Sequence, residues 1–170
     1  MPYGKVTDCT DKMERNEDFS RLEISLPACL DNYRYFRSKL EPSTRLLVLV
    51  KANAYGHGAT EFASLMENAG ADYLAVAYPV EGVELREAGI KTPIMVLTAG
   101  TDFFNEIIDY GLEPGIPNLS SLKVLCGVLK ERGVTDFPIH IKLDTGMHRL
   151  GFMTEEIPSL TEFLSGCHEV

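Results

Sequence analysis

The sequence contains no tryptophan and no apolar run of the roughly 20 residues that a membrane-spanning helix requires, and no signal-peptide pattern opens it. Its 16 lysines and arginines are outnumbered by 25 aspartates and glutamates, so the net charge is −9. This balance argues against nucleic-acid binding, which needs clustered cations. The four cysteines form no C-x-x-C pair and the histidines show no metal-ligand spacing, so we predict no metal site. A soluble, acidic, cytoplasmic protein without a membrane partner is therefore expected.

The overall amino-acid composition is that of a globular protein. Of the 170 residues, 45% are apolar and 24% are charged, which suits one ordinary domain. Residues 1–20 are polar and mixed in charge without periodicity, and we interpret them as a flexible leader or linker. Folded structure is expected over 21–170, beginning with a short strand at 21–25, where polar and apolar residues alternate.

One pattern of predicted strands and helices then repeats along the chain. Short apolar runs typical of buried strands alternate with amphipathic stretches at helical spacing, and helix starts are predicted near Ser25, Asn118 and Thr154. The five apolar runs cover residues 46–50, 73–77, 93–97, 112–116 and 137–143. Strands that each precede a helix predict an α/β fold with a parallel sheet. Periodicity alone leaves two architectures open, an open doubly wound sheet or an incomplete (β/α)8 TIM barrel of about five βα units.

Functional groups in both architectures lie at the carboxyl ends of the strands, and the first such end carries an unusual lysine. It reads Val50-Lys-Ala-Asn-Ala-Tyr-Gly-His-Gly58. An ammonium group directly after buried aliphatic residues is costly unless the amine has a chemical use, and uncharged lysines attack aldehydes. Tyr55 could hydrogen-bond a phosphate or carboxylate there. The alternative is that Lys51 extends from the strand end to solvent.

The last apolar run leads into a second cationic segment, His140-Ile-Lys-Leu-Asp-Thr-Gly-Met-His-Arg-Leu-Gly151. Lys142 and Arg149 would repel each other at close range unless an anion or a modification separated them. Arg149 suits a carboxylate or phenolate ligand, because its planar fork donates two parallel hydrogen bonds. As alternatives, Lys142 could lie at the strand edge with Arg149 as a surface residue, or Asp144-Thr145-Gly146 could be an aspartic-protease triplet. The many predicted helices argue against the nearly all-β protease fold.

These two segments resemble the hallmarks of the alanine racemases, a family of pyridoxal-phosphate enzymes. The first is similar to the family's cofactor-attachment segment, and the resemblance extends over about 21–165. It implies the N-terminal part of a TIM barrel that lacks the C-terminal strands and the β-domain. It also implies a homodimeric isomerase that interconverts L- and D-alanine and supplies D-alanine for peptidoglycan and cell-wall biogenesis.

The resemblance also implies roles for individual residues. Lys51 would bind pyridoxal 5'-phosphate covalently and act as one catalytic base, and Tyr55 would bind the cofactor phosphate. Arg149 would bind the cofactor's phenolic oxygen and the substrate carboxylate, and Lys142 would be open to carbamylation. Racemisation needs a second base on the opposite face, which in the family is a tyrosine of the partner's C-terminal domain. We therefore expect the 170 residues alone to be inactive. A serine, lysine or broad-spectrum racemase and a catalytically dead truncated remnant remain the alternatives.

Overall fold

The computed structural model of the protein describes residues 22–170. The leader predicted for residues 1–20 lies outside the described residues. The strand predicted over 21–25 is wrong for the part that is described, because residues 22–25 pair with no strand. Leu22 is 73% exposed and Ile24 is only partly buried, so the alternating residues do not form one buried face of a sheet. Ser25 instead begins the first helix, where its Oγ accepts a hydrogen bond from the Ala28 N–H at 3.4 Å.

A five-stranded, fully parallel sheet forms the centre of the described chain. Its strands are β1 (Leu47–Leu49), β2 (Tyr73–Val76), β3 (Ile94–Val96), β4 (Glu113–Ile116) and β5 (His140–Ile141). All five predicted strands are therefore present. β5 is shorter than the predicted run of 137–143, because the Phe137 N–H donates to the Glu169 carbonyl outside the sheet at 2.8 Å. Pro138 has no N–H with which to extend the ladder.

Helices follow the strands, as the repeating pattern predicts. They are α1 (Leu26–Arg37), α2 (Lys51–Tyr55), α3 (Ala59–Asn68), α4 (Pro79–Glu87), α5 (Phe104–Asp109), α6 (Leu119–Arg132) and α7 (Ile157–Ser165), with 3-10 turns at Thr101–Phe103 and Thr154–Glu156. The predicted cap of α6 is confirmed, because Asn118 Oδ1 accepts from the Ser121 N–H at 2.9 Å. Among residues 22–170, no helix combines the length and apolarity needed to cross a membrane.

The order of the strands decides between the two predicted architectures. Neighbours in the sheet follow the chain as β1-β2-β3-β4-β5, without the reversal that defines a doubly wound sheet. A parallel sheet that grows in one direction, with a helix after each strand, is the pattern of a (β/α)8 barrel. The described residues thus form five consecutive units of such a barrel, with β1 and β5 at the two edges of the sheet.

The core lies where the inner strands meet the flanking helices. Leu74, Ile94 and Ile116 are fully buried on β2, β3 and β4, and Leu122 and Leu125 of α6 are buried with them. The edge strand β1 is more open, and Leu47 is 38% exposed. The carboxyl ends of the two edge strands lead into Lys51 after β1 and Lys142 after β5.

Candidate active site

Lys51 follows directly on the buried end of β1. Val50, the residue before it, is only 1% exposed, whereas Lys51 itself is half-buried. No hydrogen bond or ion pair joins the Lys51 side chain to another of residues 22–170. A primary amine without a partner at the carboxyl end of a buried strand is available to react with a carbonyl compound.

The backbone after Lys51 has an unusual conformation. Ala52, Asn53, Ala54 and Tyr55 have φ angles of 50–55°, so α2 is a left-handed helical turn made of non-glycine residues. Such a conformation costs roughly 1–2 kcal/mol per residue, because Cβ approaches the following carbonyl oxygen. Strain of this kind persists only where surrounding contacts impose it, and it is concentrated at functional sites.

The contacts that hold this turn come from both of its ends. At the far end, Asn53 Oδ1 accepts from the Ala59 N–H at 2.8 Å, and the His57 ring nitrogen Nδ1 lies 2.7 Å from the Ala54 carbonyl. Near Lys51, the carboxylate of Glu81 accepts from the Ala52 N–H at 2.6 Å. We did not predict Glu81 from the sequence, since it lies 29 residues away on α4.

Tyr55 ends the left-handed turn, and its side chain is 59% exposed. The chain then turns through Gly56 and Gly58, whose φ angles of 90° and 91° are accessible to glycine and unfavourable for other residues. Glycine at these two positions therefore allows the chain to turn tightly after the left-handed segment. Tyr55 is therefore a largely exposed residue on the same segment as Lys51.

Lys142 lies at the other edge of the sheet, at the carboxyl end of β5. Its aliphatic chain crosses Gly115 of β4, where an added Cβ would stand 3.3 Å from Lys142 Cδ. Its amine donates to the Leu97 carbonyl at 3.3 Å. Burial lowers the pKa of Lys142 from its ordinary value, and the positive charge of Arg149 lowers it further. The charge of Arg149 thus acts on Lys142, and the two side chains repel each other when both are protonated.

Asp144 organises the loop that carries Arg149. Its Oδ1 accepts from the N–H groups of Gly146 and His148 at 2.9 and 3.0 Å, and its Oδ2 lies 3.0 Å from the His148 ring. These bonds, the backbone ones first, lower the pKa of the Asp144 carboxyl. The Asp-Thr-Gly triplet therefore serves to fold a loop in an α/β protein, and the structure gives no support to the protease alternative.

The four predicted site residues lie at one end of the parallel sheet, in two pairs. Lys51 and Tyr55 follow β1, whereas Lys142 and Arg149 follow β5. Together they offer an amine, a phenolic hydroxyl and two cations. This donor set fits pyridoxal phosphate, a compound with an aldehyde, a phosphate and an anionic phenolic oxygen.

A second cluster lies away from this end of the sheet. Cys126 Sγ and Cys167 Sγ are 2.9 Å apart, and Glu169 Oε2 is 3.1 Å from Cys167 Sγ. Burial, together with the Cys167 hydrogen bond, raises the pKa of Cys126 to about 12. The backbone of Glu169 pairs with Phe137, ahead of β5, so the cluster lies at the amino end of that strand. The sequence did not indicate this cluster, because 41 residues separate its two thiols.

The family model described as alanine racemase, N-terminal domain, matches residues 24–170. The chain belongs to the alanine racemase family. Among curated proteins, it is 42% identical over 132 residues to an alanine racemase of Synechocystis. It is 40% identical over 149 residues to one of Lactobacillus delbrueckii subsp. bulgaricus. The two matches cover 76% and 85% of this chain, but only 35% and 39% of the relatives.

Solved alanine racemases share the fold. The structure of the Clostridium difficile protein matches with a TM-score of 0.78 and 33% identity, over 84% of this chain and 38% of that one. The Bartonella henselae structure, described as having covalently bound pyridoxal phosphate, matches with a TM-score of 0.77 and 27% identity over 84% and 41%. These matches confirm the predicted family and the partial TIM barrel.

Proposed function

We propose that the chain forms the N-terminal barrel region of a pyridoxal-phosphate-dependent racemase that interconverts L- and D-alanine. The observation that carries this proposal is the amine of Lys51 at the end of β1, which has no partner among residues 22–170, with two further cations following β5 at the same end of the sheet. The relatives named above support it, since they are called alanine racemases. By analogy with those enzymes, we place the complete protein in the cytoplasm, as a homodimer that supplies D-alanine for peptidoglycan.

Each site residue has a proposed task. Pyridoxal phosphate, when bound, spreads the charge of a carbanion at the substrate Cα through its ring. Lys51 would hold the cofactor covalently through its amine and, when free, would remove or return the Cα proton on one face. The Tyr55 hydroxyl would donate a hydrogen bond to the phosphate. The guanidinium of Arg149 would donate to the phenolic oxygen and to the substrate carboxylate.

Lys142 has a separate proposed role beside Arg149. Its lowered pKa favours the neutral amine, which can add to carbon dioxide and lose a proton to become a carbamate. That reaction replaces a cation with an anion next to Arg149, so repulsion becomes attraction. The carbamate would then orient the guanidinium toward the cofactor oxygen.

Racemisation requires proton transfer on both faces of Cα, since a single base returns the proton to the side from which it came. The residues proposed above supply one base, Lys51. The family resemblance assigns the second base to a tyrosine of the partner subunit's C-terminal domain. We therefore expect these 170 residues, expressed alone, to show no alanine racemisation above that of free cofactor, as measured by chiral chromatography.

The cofactor site can be tested directly. The purified protein is incubated with pyridoxal phosphate, reduced with borohydride and digested, and the peptides are analysed by mass spectrometry. We expect a pyridoxyl adduct on Lys51 in the native protein, and none at that position in Lys51→Arg. An unmodified Lys51 peptide after incubation with excess cofactor would contradict the proposal and favour a remnant without catalytic function.

The substrate needs its own test, because Lys51, Tyr55 and Arg149 contact groups that all amino-acid substrates and the cofactor share. Initial rates on L-alanine, L-serine and L-lysine, measured with the complete enzyme, separate an alanine racemase from a broader one. A kcat/KM for L-alanine at least about tenfold higher than those for L-serine and L-lysine would support alanine as the substrate, since binding pockets discriminate between side chains by factors of this size.

A further inference from the structure

The left-handed turn after Lys51 requires support from outside its own sequence. Four successive non-glycine residues, Ala52 to Tyr55, occupy a region of φ and ψ that is sterically disfavoured. The first of them, Ala52, follows Lys51 directly. The direction in which the Lys51 side chain leaves the sheet therefore depends on how the backbone at Ala52 is held.

A single carboxylate holds this point. Glu81 Oε1 accepts from the Ala52 N–H at 2.6 Å, and Glu81 Oε2 accepts from the N–H groups of Ala77 and Tyr78 at 2.6 and 3.0 Å. Ala77 and Tyr78 follow the end of β2, the strand next to β1. The carboxylate thus joins the start of the left-handed turn to the end of the neighbouring strand. Hydrogen bonds to an ionised acceptor are stronger than those between neutral groups.

Within residues 22–170, no other side chain makes this contact. Among the described residues, the remaining side-chain bonds of the turn come from Asn53 and His57, and both lie beyond its first residue. At the Lys51 end, Glu81 is the only side chain of the described chain that bonds to the backbone of the turn. Glu81 is half-buried on the first turn of α4, so its position is set by a helix.

We propose that Glu81 is a positioning residue for Lys51. It touches neither the cofactor nor the substrate in this scheme, and it acts by holding the Ala52 amide so that the amine of Lys51 points from the carboxyl end of β1. This inference rests on the proposed function, because it assigns Glu81 a part in the covalent attachment of pyridoxal phosphate to Lys51.

The test compares the native protein with Glu81→Gln and Glu84→Gln. Glutamine offers one neutral oxygen in place of two charged ones, and its NH2 group faces backbone N–H donors. Glu84 is exposed on the same helix and its side chain makes no bond with another described residue, so Glu84→Gln removes the same charge without touching the turn. Two quantities are measured: amide hydrogen exchange, and the rate at which borohydride traps pyridoxal phosphate on Lys51.

In Glu81→Gln we expect the amides of Ala52, Ala77 and Tyr78 to exchange at least about tenfold faster, because they lose a charged acceptor. The amides of α6 should keep their native rates, which excludes general unfolding. Trapping on Lys51 should be at least about tenfold slower, because a misdirected amine reacts less often. Glu84→Gln should match the native protein in both measurements.

Unchanged exchange at Ala52 in Glu81→Gln would overturn the proposal, and so would faster exchange with an unchanged trapping rate. If the native protein forms no adduct on Lys51, the proposed function itself is refuted. This outcome is seen with the native protein alone, so it is distinguishable from a failure of the inference about Glu81. If Glu81→Gln does not fold, Glu81→Asp is used. It keeps the charge but is one methylene shorter, so we expect it to lose the Ala52 contact and to show the same two changes.

Discussion

The loop that carries Arg149 closes at Gly151, and replacing this glycine with alanine should destabilise the protein strongly. Gly151 has φ of 134°, and an added Cβ would stand 2.6 Å from both Asp144 N and Leu143 C. Both neighbours are backbone atoms, so neither can move aside as a side chain would. The hydrogen bonds on either side, from Asp144 N–H to Phe152 O and from Phe152 N–H to Lys142 O, would have to shift.

The magnitude follows from two costs. Placing a non-glycine residue in this region of φ costs about 1–3 kcal/mol. Forcing an extra methyl group into occupied space costs about 1–3 kcal/mol more. We therefore expect Gly151→Ala to lower the free energy of unfolding by ~2–6 kcal/mol, out of the ~5–15 kcal/mol typical of a domain.

Gly127→Ala is the matched control, because Gly127 lies within α6 and an added Cβ there meets nothing within 4 Å. This substitution should stabilise the protein by about 0.4–1 kcal/mol, since alanine loses less backbone entropy on folding. Both variants are compared with the native protein by urea denaturation followed by circular dichroism. Equal midpoints for Gly151→Ala and the native protein would show that the Arg149 loop does not have the backbone described here.

Three further predictions concern charged groups. Hydrogen bonds from the backbone N–H of Thr92, and then from its hydroxyl, lower the pKa of the Glu67 carboxyl. The ionised carboxylate therefore stabilises the folded protein above the ordinary carboxyl pKa, and this stabilisation is lost as the pH falls through the lowered pKa. Glu67→Gln should therefore lower the free energy of unfolding at neutral pH, and the difference from the native protein should shrink in acid. The half-buried guanidinium of Arg86 donates to four backbone carbonyls at 2.8–3.2 Å. Arg86→Lys should cost about 2–3 kcal/mol in urea denaturation, because an ammonium cannot reach all four. Arg149→Gln should raise the pKa of Lys142 toward its ordinary value but leave it lowered, since burial is the larger cause; the pH dependence of Lys142 acetylation measures this.

Each of these three predictions has a measurable result that would contradict it. Glu61→Gln, on the exposed side of the same helix as Glu67, is the control and should lower the free energy of unfolding at neutral pH by less than Glu67→Gln does. A Glu67→Gln deficit that stays constant from neutral pH into acid would contradict the assigned pKa shift. An Arg86→Lys variant as stable as the native protein would show that the four carbonyl bonds contribute nothing. An unchanged acetylation profile in Arg149→Gln would mean that its charge does not reach Lys142.

Much of the architecture could be predicted because the signals are local. The apolar runs that became β2, β3 and β4 are short, β-compatible and bounded by helix patterns, and the structure confirms them. The Asn118 cap and the turns at Gly56 and Gly58 follow from the chemistry of single residues. The family and the partial barrel were also predicted, from two segments of distinctive composition, and the comparisons confirm both. The roles of Lys51, Tyr55, Lys142 and Arg149 remain predictions.

The sequence by itself thus determined the elements and the family, since periodicity and motif composition are properties of neighbouring residues. Periodicity left the strand order open and only the family resemblance implied it, whereas the absence of a strand at 22–25 and the left-handed turn were decided by the tertiary structure alone. The turn shows the reason most clearly. Local sterics oppose four consecutive positive φ angles in non-glycine residues. A carboxylate that is distant in sequence, that of Glu81, holds the first of these residues in place. Contacts of this kind leave no periodic trace in the chain, because they exist only after α4 has packed beside the end of β1.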